Sequence, residues 1–112
     1  RLFRYREATL GDITESQPAY IAKPTFNYTD AGYSTFKSGL AGRQGMIYVG
    51  ANDGMLHAFN ANTGQEVWAF VPTPVIPNMW KLADRDYATS HRNFVNGDPL
   101  ITDVCVGGCT SD

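Results

Sequence analysis

Cysteine is scarce in this chain of 112 residues: there are two, Cys105 and Cys109, separated by Val-Gly-Gly. A structural zinc site asks for four ligands, and no second cysteine pair or nearby histidine pair accompanies these; His57 and His91 are far off in sequence. A local disulfide closing a short Gly-Gly turn is the economical reading and would imply an oxidising compartment. Two free thiols and a metal-ligating pair are the alternatives. So small a loop gains modest stability from closure in the chain-entropy model. Long apolar runs are also missing, since nothing approaches the ~20 residues of a membrane span. Charge of one sign is missing too: 9 basic and 11 acidic residues are well mixed, for a net charge of −2. With no basic stripe, nucleic acid is not an expected partner. The opening RLFRYREATLGD lacks both the apolar segment of a signal peptide and an initiator methionine, so the expectation is a piece cut from something longer. No G-x-S-x-G elbow, Cys/His pairing or Gly-rich phosphate cradle after a strand is found.

What is present is a globular composition, 43% hydrophobic and 12% aromatic, which separates the chain from disordered sequences. Its most organised stretch is 46–68, MIYVGANDGMLHAFNANTGQEVW. Strands are expected at 46–50, 55–60 and 66–71. Asn52-Asp53-Gly54 and Asn62-Thr63-Gly64 are tight-turn signals, because Asn, Asp and Gly tolerate the positive φ such hairpins need. Each strand carries apolar residues on both faces, for example Ile47 and Val49 against Met46 and Tyr48. A meander covered on both sides fits the stacked sheets of a propeller, at roughly 40–45 residues per blade.

The flanks are less regular. Residues 15–22 form a first-strand candidate, with Pro18 at its start or on an edge. A short helix is expected within 30–42, where Asp30 offers a cap, Tyr33, Phe36 and Leu40 share a face, and glycines weaken the segment. Pro77 opens a second helical segment at 77–84. Asn96-Gly97-Asp98-Pro99 reads as a turn, and residues 100–106 as a new strand. Gly11-Asp12 and Gly97-Asp98 match faintly, as first strands of successive blades would, although chance explains so short a match as well. The fold class is therefore all-β: a propeller fragment with one antiparallel four-stranded blade at about 13–71 and the next blade starting at about 95–106.

Candidate chemical residues each have a structural reading. Asp53 is explained as a turn former, Trp68 as a docking aromatic, and His57 as a packed, hydrogen-bonded side chain within a strand. His91 with Asp84 and Asp86 is a loop cluster whose default is solvation. Met79-Trp80 is either packing of the inserted helix on the sheet rim or a partner-binding anchor. No catalytic, cofactor-binding or metal-ligating residue is assigned.

Tyr48-Val49-Gly50, Asp53-Gly54, Leu56, Ala58-Phe59, Ala61, Thr63-Gly64 and Trp68 resemble the tryptophan-docking repeat of quinoprotein-type propellers. The resemblance makes Asp53, Gly54, Ala61, Thr63, Gly64 and Trp68 the structural blade motif, with the Trp packed between adjacent blades and received by an Ala-x-Thr-Gly turn. The longer strings GDITESQPAYIAKP and VGANDGMLHAF…TGQEVWAFVP…HRNFVNGDP closely resemble the C-terminal propeller of the PilY/PilC family over about residues 10–104. Asn60 stands where that family often has Asp, which bears on a turn hydrogen bond. The family's EF-hand-type calcium loop has no match here, since Asp84-Arg85-Asp86 supplies only two carboxylates. No cofactor is expected in this segment, and calcium is left to the rest of the parent protein.

The resemblance implies a non-enzymatic segment of a type IV pilus assembly and adhesion protein, an interaction scaffold for pilus biogenesis, retraction control and surface attachment. Its expected partners are pilus or minor-pilin components and the remaining propeller blades. Its expected place is outside the cytoplasm: the outer-membrane surface, pilus tip or periplasm of a Gram-negative bacterium. The blade motif also permits a quinone-dependent dehydrogenase or a periplasmic scaffold for outer-membrane protein insertion. A lone blade leaves edges and faces uncovered, so the isolated chain is expected to be marginal or self-associated.

Overall fold

The computed structural model describes residue 5 and residues 9–104. Cys105 and Cys109, and with them the disulfide reading, lie outside the described residues. Four strands form one antiparallel meander in the order β1-β2-β3-β4: β1 Ala19–Ile21, β2 Met46–Ala51, β3 Met55–Asn60 and β4 Glu66–Phe70. β-branched and aromatic residues favour the pleated surface along β2 and β4. Tyr48, Ala58 and Trp68 stand in register across three strands, with Val49, His57 and Ala69 on the opposite face. All four strands fall inside the expected limits 13–71.

The first hairpin differs from its expectation in turn type. The Ala51 carbonyl accepts the Gly54 N–H at 3.2 Å, and Ala51 pairs with Met55. Positive φ falls on Gly54 alone (φ 88°), and no non-glycine residue among those described adopts it. This is the three-residue hairpin, in which an ordinary turn is followed by one left-handed glycine. The second hairpin closes with Gly64 N–H on the Asn60 carbonyl at 2.8 Å. Asn60 Oδ1 accepts the N–H groups of Asn62 and Thr63, the side-chain-built turn typical of Asn.

β1 is shorter than the expected 15–22. Pro18 has no N–H to give, and residues before it are held by side chains rather than by a ladder. Helix α1, Tyr33–Gly39, lies within 30–42, but Asp30 does not cap it through its carboxylate. The cap position is Gly32, and Asp30 offers only its main-chain carbonyl, to Tyr33 N–H. The rings of Phe26, Tyr28, Tyr33 and Phe36 form a continuous chain of contacts beside α1, with centroids 5.1–5.9 Å apart. The second helical segment is a 3₁₀ helix, Thr73–Ala83, beginning four residues before Pro77. Pro77 inside it removes a backbone donor, which disfavours α-helical bonding there. A short 3₁₀ turn follows at Tyr87–Thr89.

Residues 100–104 form no strand. They are placed by side chains instead, with Arg43 Nη1 donating to Asp103 Oδ1 at 2.5 Å while its other nitrogens hold the Ala22 carbonyl. The faint repeat between Gly11-Asp12 and Gly97-Asp98 is likewise not a pair of blade strands. The two segments lie beside each other, and Ser16 and Gln17 bond to Gly97 and Asp98.

Burial is concentrated at one end of the sheet. Along β2 it rises toward the turn, and Val49, Ala51, Ala58, Leu82 and Tyr87 form the apolar core. Beside them lie four buried polar residues, Ser16, Asn52, Asp53 and His57.

Candidate functional site

The turn after β2 is the centre of the molecule rather than a surface loop. Asn52 and Asp53 are each only 2% exposed. Residues 11–17 close on the turn from one side and residues 91–98 from the other. Asn52 joins both: its backbone N–H donates to Asp12 O at 2.9 Å, and its Nδ2 to Asp12 Oδ2 at 2.9 Å and Asn93 Oδ1 at 3.2 Å. Its Oδ1 accepts Phe94 N–H at 3.3 Å. Both ends of the carboxamide are thus satisfied, as burial requires.

Asp53 does more than form a turn. Its Oδ1 accepts Met55 N–H at 3.1 Å, the local bond expected of a turn aspartate. Its Oδ2 accepts Gly11 N–H at 3.0 Å and lies 2.7 Å from His57 Nε2. His57 Nδ1 lies 2.6 Å from Glu66 Oε2. A neutral imidazole has one N–H and satisfies one of these carboxylates as donor, whereas an imidazolium satisfies both. Glu66 reaches this face because of a break in register: Ala58 pairs with Trp68 but Phe59 with Glu66, so Val67 is the extra residue of a bulge. The bulge turns Glu66 toward His57, the re-aiming that such irregularities provide.

A second clasp lies alongside. Ser16 Oγ donates to Gly97 O at 3.0 Å and accepts Gly50 N–H at 3.0 Å. Gln17 N–H donates to Asp98 Oδ1 at 2.6 Å, and Asn96 Nδ2 to Glu15 Oε2 at 2.6 Å. Gly50 is required by this closeness, since a Cβ there would stand 2.6 Å from the Val95 carbonyl oxygen. Asp12 is held below the ordinary carboxylate range chiefly by the Asn52 amide, with further help from the charge of His91. His91 Nε2 lies 3.2 Å from Asp12 Oδ2, so His91 joins Asp12 and not the expected cluster with Asp84 and Asp86. Those two bond locally, Asp86 N–H to Asp84 Oδ1.

The blade-motif residues divide among three places. Asp53 and Gly54 sit in the buried turn, where Val75, Met79 and Leu82 of the 3₁₀ helix approach Gly54. Ala61, Thr63 and Gly64 form the exposed second turn: Ala61 N–H donates to Gly45 O, Thr63 Oγ1 accepts Gln65 N–H, and Gly64 has φ 72°. Trp68 does not fold back on that turn. It lies across Ala58 with its ring 5.6 Å from Tyr48 and remains 43% exposed. Met79 and Trp80 separate as well, Met79 turning toward Gly54 and Trp80 staying 64% exposed with Lys81 Nζ over its ring.

Chemically, the centre is a closed polar network. No buried side-chain nitrogen or oxygen among the described residues lacks a partner. Among the described residues no three His, Cys, Asp or Glu side chains are arranged to hold a metal ion. Among the described residues no Ser or Thr side chain hydrogen-bonds to His57, whose two ring nitrogens are engaged by carboxylates. Sequence reasoning missed Asn52, Asp12, Ser16, Asn93 and Glu66 as members of the network. The available signal was the small pair Gly50-Ala51 just before the turn, which marks a place where other chain comes close.

The segments that meet here lie within a match to known proteins that spans nearly the whole chain. A family model for the PilY1 β-propeller domain matches residues 10–109. A type IV pilus biogenesis factor PilY1 homolog of Xylella fastidiosa is 43% identical over 108 residues, covering 90% of this chain and 9% of the relative. Type IV pilus biogenesis factor PilY1 of Pseudomonas aeruginosa is 41% identical in strain UCBPP-PA14 and 40% in strain PAO1, each match covering 95% of this chain and 10% of the relative. The chain thus spans about a tenth of the length of these curated relatives. No solved structure matches. A family match running from the Gly11 side of the clasp through the meander and beyond the 91–98 segment, together with relatives at this identity, shows that the chain belongs to the PilY1 β-propeller family and is an all-β fragment of such a domain.

Proposed function

We propose that this segment is a non-enzymatic structural blade in a protein that assembles type IV pili, and that it presents its sheet faces to neighbouring blades of the parent chain. The observation that carries this reading is the match of nearly the whole chain to proteins named as pilus biogenesis factors. The distribution of side chains supports the structural part. Polar groups at the centre are spent on one another, while Val67, Trp68, Phe70, Ile76 and Trp80 stay exposed. A sheet with apolar residues left on its surface is suited to packing between further sheets.

In this reading Trp68 docks against a second-turn equivalent from an adjacent blade, and the turn of Ala61, Thr63 and Gly64 receives another such tryptophan. The parent protein acts outside the cytoplasm, at the outer-membrane surface, the pilus tip or in the periplasm. It contacts pilus or minor-pilin components and affects extension, retraction and surface attachment. This segment supplies scaffold and no cofactor; any calcium belongs to other parts of the parent.

The test is deletion of the parent gene, scored by surface pili and twitching motility, with complementation by Trp68→Ala and Asn52→Ala alleles. Loss of pili on deletion and weak rescue by both alleles are expected. Unchanged piliation in the deletion strain would overturn the pilus reading. Stoichiometric quinone binding by the full-length protein, with turnover of an alcohol, would overturn the non-enzymatic one.

A further inference from the structure

We propose that Asn96–Gly97 is a site of spontaneous deamidation whose product loosens the clasp between residues 15–17 and 96–98. It is the one Asn-Gly pair in the chain. Residues 96–98 lie in neither helix nor strand, so no ladder locks their backbone. Gly97 is exposed, and a Cβ placed on it would meet nothing within 4 Å. Its N–H donates no hydrogen bond among the described residues. The nitrogen that must attack is therefore unshielded by a side chain and uncommitted.

The step balances with water as the only co-reactant. Gly97 N gives its proton to a solvent base and bonds to Asn96 Cγ. The Cγ–Nδ2 bond breaks, the leaving nitrogen takes up a proton, and ammonia departs, leaving a five-membered succinimide. Water then opens the ring. Attack at Cγ gives Asp, and attack at the Asn96 main-chain carbonyl carbon gives isoaspartate, with the chain running on through the side chain.

Both products act on the clasp. Nδ2, which donates to Glu15 Oε2 at 2.6 Å, is lost, and a carboxylate stands against a carboxylate in its place. The isoaspartyl form also adds a methylene to the main chain just before Gly97 O and Asp98, the groups that hold Ser16 Oγ and Gln17 N–H. Ser16 Oγ in turn holds Gly50 N–H in the core strand β2. A slow, one-way chemical change at the surface is thereby wired to a buried strand. Gly97→Ala separates chemistry from structure: the open space around Gly97 admits the methyl group, while the methyl hinders attack by the adjacent nitrogen.

The test is ageing of the folded full chain at mildly alkaline pH beside a urea-unfolded sample, followed by peptide mass mapping, isoaspartyl methylation and amide hydrogen exchange. In the folded protein the peptide holding residues 96–97 is expected to gain the mass of NH2 replaced by OH, ahead of every other asparagine. Gly97→Ala is expected to abolish that gain, and the converted protein to exchange its Gly50 amide faster than the fresh one. Conversion confined to the unfolded sample, equal conversion of Gly97→Ala, or unaltered Gly50 exchange after conversion would overturn the proposal.

Discussion

Asn52 looks in sequence like any turn asparagine, yet it is the residue on which two distant segments close. A turn former on a surface can be replaced at little cost, whereas a buried carboxamide bonded at both ends cannot. Asn52→Ala leaves Phe94 N–H without its acceptor and takes the Asn52 amide donor from Asn93 Oδ1 and from Asp12 Oδ2, which keeps only His91. The expected destabilisation is about 1–3 kcal/mol, read from urea midpoints, and a change within error would show that water replaces the carboxamide freely. Asp12 adds a pH dependence. Its pKa is lowered on folding, so the stability it contributes is fully present above its ordinary value of 3.8 and is lost as pH falls through the lower, folded value. The midpoint of the wild-type chain should therefore fall through this acid range more steeply than that of Asp12→Asn; parallel curves would contradict the role assigned to the carboxylate. The sequence made Asp53 and His57 legible as structural residues, because Asn-Asp-Gly and a mid-strand histidine carry those meanings locally. It did not reveal Asn52, Asp12 or Ser16, since their partners lie some 34–81 residues away in the chain and local spacing carries no record of such pairings.

Among the elements, those whose bonds are local were readable. β2, β3 and β4 follow from short apolar runs bounded by turn residues, and their limits fall within a residue of expectation. The elements that depend on tertiary closure were not: the strand expected over 15–22 shortens to β1 because its first half is taken by side-chain bonds, and residues 100–104 remain irregular. The bulge at Val67 was also invisible, because alternation along β4 looks unbroken in sequence. Its consequence is testable. Glu66→Gln keeps the shape but removes the charge that faces His57 Nδ1. As Glu66 is nearly half exposed, global stability should drop by no more than about 1 kcal/mol. Local opening should be larger in relative terms, since β4 is an edge strand with every residue exposed. Faster hydrogen exchange at the start of β4, with β2 unchanged, is the expected pattern; uniform acceleration across the sheet would mean that the His57–Glu66 contact supports the core and not the edge.

For the whole molecule, the decisive contrast is between an interior whose polar groups are closed on one another and a surface that leaves large apolar side chains open. Trp68, Phe70 and Val67 lie on the edge strand β4, with Ile76 and Trp80 on the helix that follows, each more than two-fifths exposed. Among the described residues β4 is also the last strand of the four-stranded sheet. Edge strands that stand free are usually blunted by lysine, proline or inward charge. β4 has only Glu66, which is turned to His57, and a bulge at its beginning. Such an edge pairs with whatever strand or apolar face is offered. The isolated 112 residues should therefore associate with themselves as concentration rises, with an apparent mass in size-exclusion chromatography that grows accordingly. Replacing Trp68 and Phe70 together by Ser should shift the chain toward monomer without unfolding it, because neither side chain belongs to the buried core. A wild-type chain that stays monomeric across the concentration range, with a cooperative thermal transition, would mean that the clasp of residues 11–17 and 91–98 alone sustains an independent unit and that the exposed aromatics need no neighbouring sheet.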